Sequence, residues 1–123
     1  MTLLRICCSG STAQGTLEAS YIPWTTALQL ATERCLCHTG VKADDVPDMM
    51  ISIQELLWAV VAFAESCDRG VGNALHIAIL DNLNAVAWIR KRRPKDLYAA
   101  HFIRIISRLE HASKNELTDI TLI

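Results

Sequence analysis

Apolar residues gather along this chain in a few stretches whose lengths and periods differ, and those differences predict its elements. From Ile51 to about Ser66, Ile53, Leu56, Leu57, Val60, Val61 and Ala64 recur at helical spacing, with Trp58 and Phe63 widening the face, so a helix buried on most sides is expected. Asp68-Arg69-Gly70-Val71-Gly72-Asn73 reads as a turn, and Ala74 to Leu80 as a strand. The strand's unbroken apolar run is the pattern of parallel strands covered on both faces. Asn82 or Asn84 then caps a short helix through Ile89, which Arg90-Lys91-Arg92-Arg93-Pro94-Lys95 closes with charge suited to a helix carboxyl end and a proline that stops it. Asp96 opens a further helix, about Leu97 to Ala112, on Ala100, Phe102, Ile103, Ile106 and Leu109, and Leu117 to Ile123 reads as a last strand.

Ahead of the first helix the pattern is weaker. Thr25 to Thr32 is ambiguous by period and is read as a strand from its context, while Thr39-Gly40 and Asp44-Asp45-Val46-Pro47-Asp48 mark a loop. Residues 1–24 show turn signals at Ser9-Gly10-Ser11 and Gln14-Gly15 without a sustained period and form a poorly defined N-terminal segment. The order strand, helix, strand, helix, helix, strand over residues 25–123 predicts an α/β domain with right-handed crossovers and at least three mutually parallel strands.

Two carboxylates stand out in this frame. Asp81 follows the apolar strand directly, and open α/β sheets place their chemistry beyond the carboxyl ends of such strands. Glu55 interrupts the first helix near its start. There it either serves the helix macrodipole from the first turn, or shares a divalent cation with Asp81, since hard cations take carboxylate oxygens.

Composition narrows the classes without choosing a function. With 123 residues, 51% hydrophobic and 20% charged, the chain can bury a core and is not a disordered polar segment. A net charge of −1 demands neither nucleic acid nor a membrane surface, and the longest apolar run, Leu56 to Ala64, is too short to span a bilayer. The N-terminus lacks a charged leader and sustained apolar stretch, so no secretory signal is expected. Five cysteines (Cys7, Cys8, Cys35, Cys37, Cys67) at no disulfide-framework spacing read as free thiols in an intracellular setting, cytoplasmic or nuclear. Cys35-Leu36-Cys37-His38 lacks the second ligand pair of a structural zinc site and reads instead as a strand end and turn. His38, His76, His101 and His111 have no carboxylate or cysteine partner at a motif spacing and read as structural or surface residues.

The middle of the chain resembles the ribonuclease H domain of retrotransposon reverse transcriptases of the DIRS and related types, over roughly residues 25–123. Ile51-Ser52-Ile53-Gln54-Glu55 with Val60-Val61-Ala62 resembles that family's glutamate helix. Asp81-Asn82-Leu83-Asn84-Ala85-Val86 resembles its aspartate strand end and following helix, Arg92-Arg93-Pro94-Lys95-Asp96 its basic turn, and Ile103 to Leu109 the helix after it. Thr32-Glu33-Arg34-Cys35-Leu36-Cys37-His38-Thr39-Gly40 resembles the first catalytic strand and turn, with Glu33 in place of the leading aspartate and two extra residues before Thr39-Gly40. The stretch from Ala43 to Ile51 leaves little room for the family's two further strands, and the chain ends before the segment that carries its fourth acidic ligand.

The resemblance implies a ribonuclease H-like fold incomplete at both ends, a mixed sheet with parallel central strands flanked by helices. It implies magnesium held by Glu33, Glu55 and Asp81, cleavage of RNA in an RNA:DNA hybrid by two-metal hydrolysis, and an upstream reverse transcriptase domain as partner. Arg90, Lys91, Arg92, Arg93 and Lys95 would meet the hybrid's phosphates, the alternative being a solvated, dipole-complementing helix end. With one acidic position altered and one missing, the expectation is an isolated chain that does not turn over. The competing reading is a non-catalytic α/β interaction or nucleic-acid-binding module.

Overall fold

In the computed structural model the described residues are 3–9, 17–22, 33–68, 75–80 and 82–121, with backbone alone for 3–9, 17–22, 79 and 119–121. Four strands, β1 (Leu3–Ser9), β2 (Leu17–Ile22), β3 (Leu75–Leu80) and β4 (Glu116–Thr121), form one sheet in the order β2-β1-β3-β4. β1 runs antiparallel to both β2 and β3, whereas β3 and β4 are parallel, with His76 opposite Leu117 and Leu80 opposite Thr121. The helices are α1 (33–39), α2 (Ile51–Asp68), α3 (Leu83–Lys91) and α4 (Leu97–Ser113), with a 3-10 turn at Ala43–Asp48. The class is mixed α/β, mostly helical.

α2 is the centre of the core. Leu56, Leu57, Val60, Val61, Phe63 and Ala64 are wholly buried, and only the first residue and the last two escape deep burial apart from Gln54. Gln54 turns its side-chain amide onto the carbonyls of Val46 (3.1 Å) and Met49 (2.9 Å), fastening the 3-10 turn to the helix start. α4 presents Ala99, Phe102, Ile103 and Ile106 to this core, the spacing of one helical face. α3 contributes Ala85, Val86 and Ile89.

Helix ends follow local chemistry. Asn82 Oδ1 accepts from the Ala85 amide at 3.1 Å and Asp96 Oδ1 from the Ala99 amide at 3.0 Å, so each caps the helix it precedes. Asp96→Ala is expected to cost about 1 kcal/mol, read as a lower urea midpoint at unchanged m-value. At the other ends, Gly40 (φ 74), Arg92 (φ 57) and Lys114 (φ 58) adopt the left-handed conformation that stops a helix.

Several expectations are corrected. The described sheet holds one parallel pair, β3 with β4, and β1, from a segment read as poorly defined, joins β3 antiparallel. β3 is not covered on both faces: His76, Ala78 and Leu80 are buried, whereas Leu75 is exposed and Ile77 half-buried, so the described helices cover one face. Residues 33–39 form a helix rather than a strand end and turn, burying Cys35 and Thr39 at i, i+4 spacing. Residues 43–48 coil into the 3-10 turn. The strand read over residues 25–32 and the turn at residues 69–73 lie outside the described residues.

Candidate functional site

Two helix starts meet beside the end of β3. The Asn84 side-chain amide donates to Ser52 Oγ at 3.2 Å, joining the first turn of α3 to the first turn of α2. Glu55 lies three residues beyond Ser52, on the same helix face, and is buried at 9% exposure. It is the fifth residue of α2, and no acidic residue occupies the first turn, which corrects the placement expected from sequence. A carboxylate this enclosed is not a solvated charge serving the macrodipole. Asp81 itself lies outside the described residues. On one side of it Leu80 ends β3 wholly buried, and on the other Asn82 caps α3.

Glu33, the third expected ligand, is exposed on α1 and not at a strand end. Among the described residues no group of three ligating side chains includes Glu33 or Glu55. Glu55 has the buried oxygen donors that suit a hard cation, whereas the surroundings of Glu33 are those of a surface helix.

Of the expected phosphate-binding residues, Arg90, Lys91, Arg93 and Lys95 are exposed around the carboxyl end of α3. Arg92 is engaged inside the fold. Its guanidinium donates to both carboxylate oxygens of Glu110 (2.7 and 3.2 Å) and to the Leu117 carbonyl (2.8 Å), and Nε donates to the Ile89 carbonyl (2.6 Å).

A second cluster was not evident from sequence. His38 Nε2 on α1 lies 2.8 Å from Glu65 Oε1 and 3.6 Å from Asp68 Oδ2, both in the last turn of α2, and Arg34 Nε lies 3.0 Å from the same Glu65 oxygen. His38, Glu65 and Asp68 each offer one donor atom within 4.8 Å of the others, a group able to hold a metal ion. His38 therefore does have carboxylate partners. They stand 27 residues and more away in the chain, outside any motif spacing. The available sequence signal was a helix carboxyl end bearing acidic residues and no basic one.

His76, on the buried face of β3, meets the edge of the Phe63 ring with centroids 4.9 Å apart. It is wholly buried, and neither ring nitrogen finds a hydrogen-bond partner among the described residues. Burial lowers its pKa from the usual 6.5, while the nearby Asn115 side chain offsets part of that. Its folded-state pKa lies below the unfolded one, so its contribution is complete above pH 6.5 and is lost as the unfolded chain alone takes up the proton. Stability is expected to fall as the pH drops below about 6.5, and His76→Leu to flatten that decline in urea titrations.

No helix among the described residues is long and apolar enough to cross a membrane. Comparison with known proteins finds no matching family model, curated protein or solved structure.

Proposed function

We propose that this chain is a ribonuclease H-like domain of the retroelement type, whose Glu55 and Asp81 hold a magnesium ion beside an RNA:DNA hybrid, and which by itself binds the hybrid without cleaving it. The observation that carries this reading is the Asn84 to Ser52 hydrogen bond, which joins the glutamate-bearing start of α2 to the helix that begins immediately after Asp81. A shared cation would require the carboxylate of Asp81 to reach this junction of helix starts. Magnesium bound there would supply water activation and charge stabilisation at a phosphate. The chain's own residues bind and orient: Asn82 caps α3, Asn84 ties its start to that of α2, and Arg90, Lys91, Arg93 and Lys95, exposed around the carboxyl end of α3, would meet phosphates.

The position of Glu33 on the exposed surface of α1 supports the absence of turnover. Two-metal hydrolysis needs further carboxylates placed to hold ions about 3.5–4 Å apart, and Glu55 with Asp81 alone does not provide them. α3 has nine residues and rises about 1.5 Å per residue, so roughly 13 Å separates its capped start from its basic end.

An electrophoretic and cleavage assay with a labelled RNA:DNA hybrid in magnesium tests this reading. Retarded hybrid without product is expected, with retardation weakened in Arg90→Ala/Arg93→Ala and a shallower salt dependence, each lost phosphate contact lowering the slope by about 0.7–0.9. Absence of retardation at low salt would contradict hybrid binding, and product that depends on Glu55 would contradict the absence of turnover.

A further inference from the structure

We propose that His38, Glu65 and Asp68 form a binding site for a divalent transition-metal ion of the zinc class, which clamps α1 onto the carboxyl end of α2. One imidazole nitrogen and two carboxylate oxygens make a mixed donor set that suits zinc or cobalt, whereas magnesium prefers oxygen alone. Three protein ligands with a fourth position open to water is a common zinc arrangement, and Asp68, at 60% side-chain exposure, leaves that side accessible.

The spacing fits. With metal–ligand bonds of about 2.1 Å, tetrahedral donors stand about 3.4 Å apart. The 3.6 Å between His38 Nε2 and Asp68 Oδ2 is too long for a hydrogen bond yet close to this edge. The 2.8 Å between His38 and Glu65 needs only to open by roughly 0.6 Å, within reach of a carboxylate rotation.

An independent electrostatic observation points to a cation at this place. Glu65 and Asp68 occupy the negative end of the α2 dipole, where carboxylates are disfavoured, and the last turn carries no basic residue. Glu65 is also buried at 7% exposure, where a charge needs a compensating partner. Arg34 now supplies part of that compensation from a side chain 54% exposed, which can withdraw to solvent when a metal takes its place. The site is independent of Glu55 and Asp81.

Cobalt(II) titration of the full chain, followed by zinc competition and thermal melting, tests the proposal. Expected are visible d–d bands of a four-coordinate ion, no near-ultraviolet thiolate-to-cobalt band, displacement by zinc, and a zinc-dependent rise in Tm. Asp68→Asn, at an exposed position, should weaken cobalt binding at least about tenfold and abolish the Tm rise, whereas Asp44→Asn, exposed on the 3-10 turn, should leave both unchanged. A response that persists in Asp68→Asn, a thiolate band from the nearby cysteines, or no response in the folded wild-type chain would overturn it.

Discussion

Phe63→Ala is expected to destabilise the protein by about 3–5 kcal/mol, enough to lower Tm on the order of 10–20 °C. Phe63 is wholly buried on the central helix, and its ring edge packs against His76 on β3, so it is a principal contact between α2 and the sheet. Truncation removes both transferred apolar surface and the atoms filling the space between two rigid elements. Urea unfolding should show a lower midpoint at unchanged m-value, whereas Leu97→Ala, at a side chain 87% exposed, should stay within about 0.5 kcal/mol of wild type. The same cavity relieves the desolvation of His76, so the decline of stability below pH 6.5 should become shallower in Phe63→Ala.

The second large effect is expected at a residue that looks like a surface charge. Arg92→Ala should cost about 2–4 kcal/mol, because it removes a bidentate partner from Glu110 and a donor from the Leu117 carbonyl at once. Glu110 also accepts from the Leu117 amide at 2.9 Å, so the Arg92–Glu110 pair joins the end of α3, the body of α4 and the start of β4. Both side chains are about one quarter exposed, which limits solvent screening. Arg92→Lys should recover little of the loss, since an ammonium cannot reproduce the planar fork, and Arg92→Ala combined with Glu110→Ala should cost less than the sum of the two. These outcomes, checked by denaturant midpoints, separate Arg92 from exposed Lys91, Arg93 and Lys95, whose substitution should change hybrid retardation and not stability.

The parts of the fold readable from sequence are those whose pattern repeats over many residues or whose end chemistry is local. α2 and α4 carry three or more turns of apolar repeat, and Asn82 and Asp96 cap helices through bonds made within three residues, so both boundaries follow from sequence. α1 buries only Cys35 and Thr39 fully, too few positions to reveal a period. The antiparallel pairing of β1 with β3 depends on partners far apart in the chain, which the pattern within one strand does not specify. In the six-residue β3 the apolar Leu75 and Ile77 mimic a doubly covered strand, although burial alternates along it.

The same division holds for chemistry. Glu55 is visible as a carboxylate interrupting an apolar helix, and the structure buries it one turn beyond Ser52, which bonds the start of α3. His38 has no partner at a motif spacing, because Glu65 and Asp68 come from another helix. Arg92 belongs by sequence to a basic run, whereas its left-handed backbone and its bond to Glu110 turn it inward.

The central claim is that one cation bridges the helix carboxylate and the carboxylate after β3. Calorimetric titration of magnesium into wild type, Glu55→Gln, Asp81→Asn and the double variant tests it most directly. Either single substitution is predicted to abolish most of the binding, and the double to lose no more than the worse single, because a shared ion cannot be lost twice. Independent, additive losses, or binding indifferent to Glu55, would contradict it.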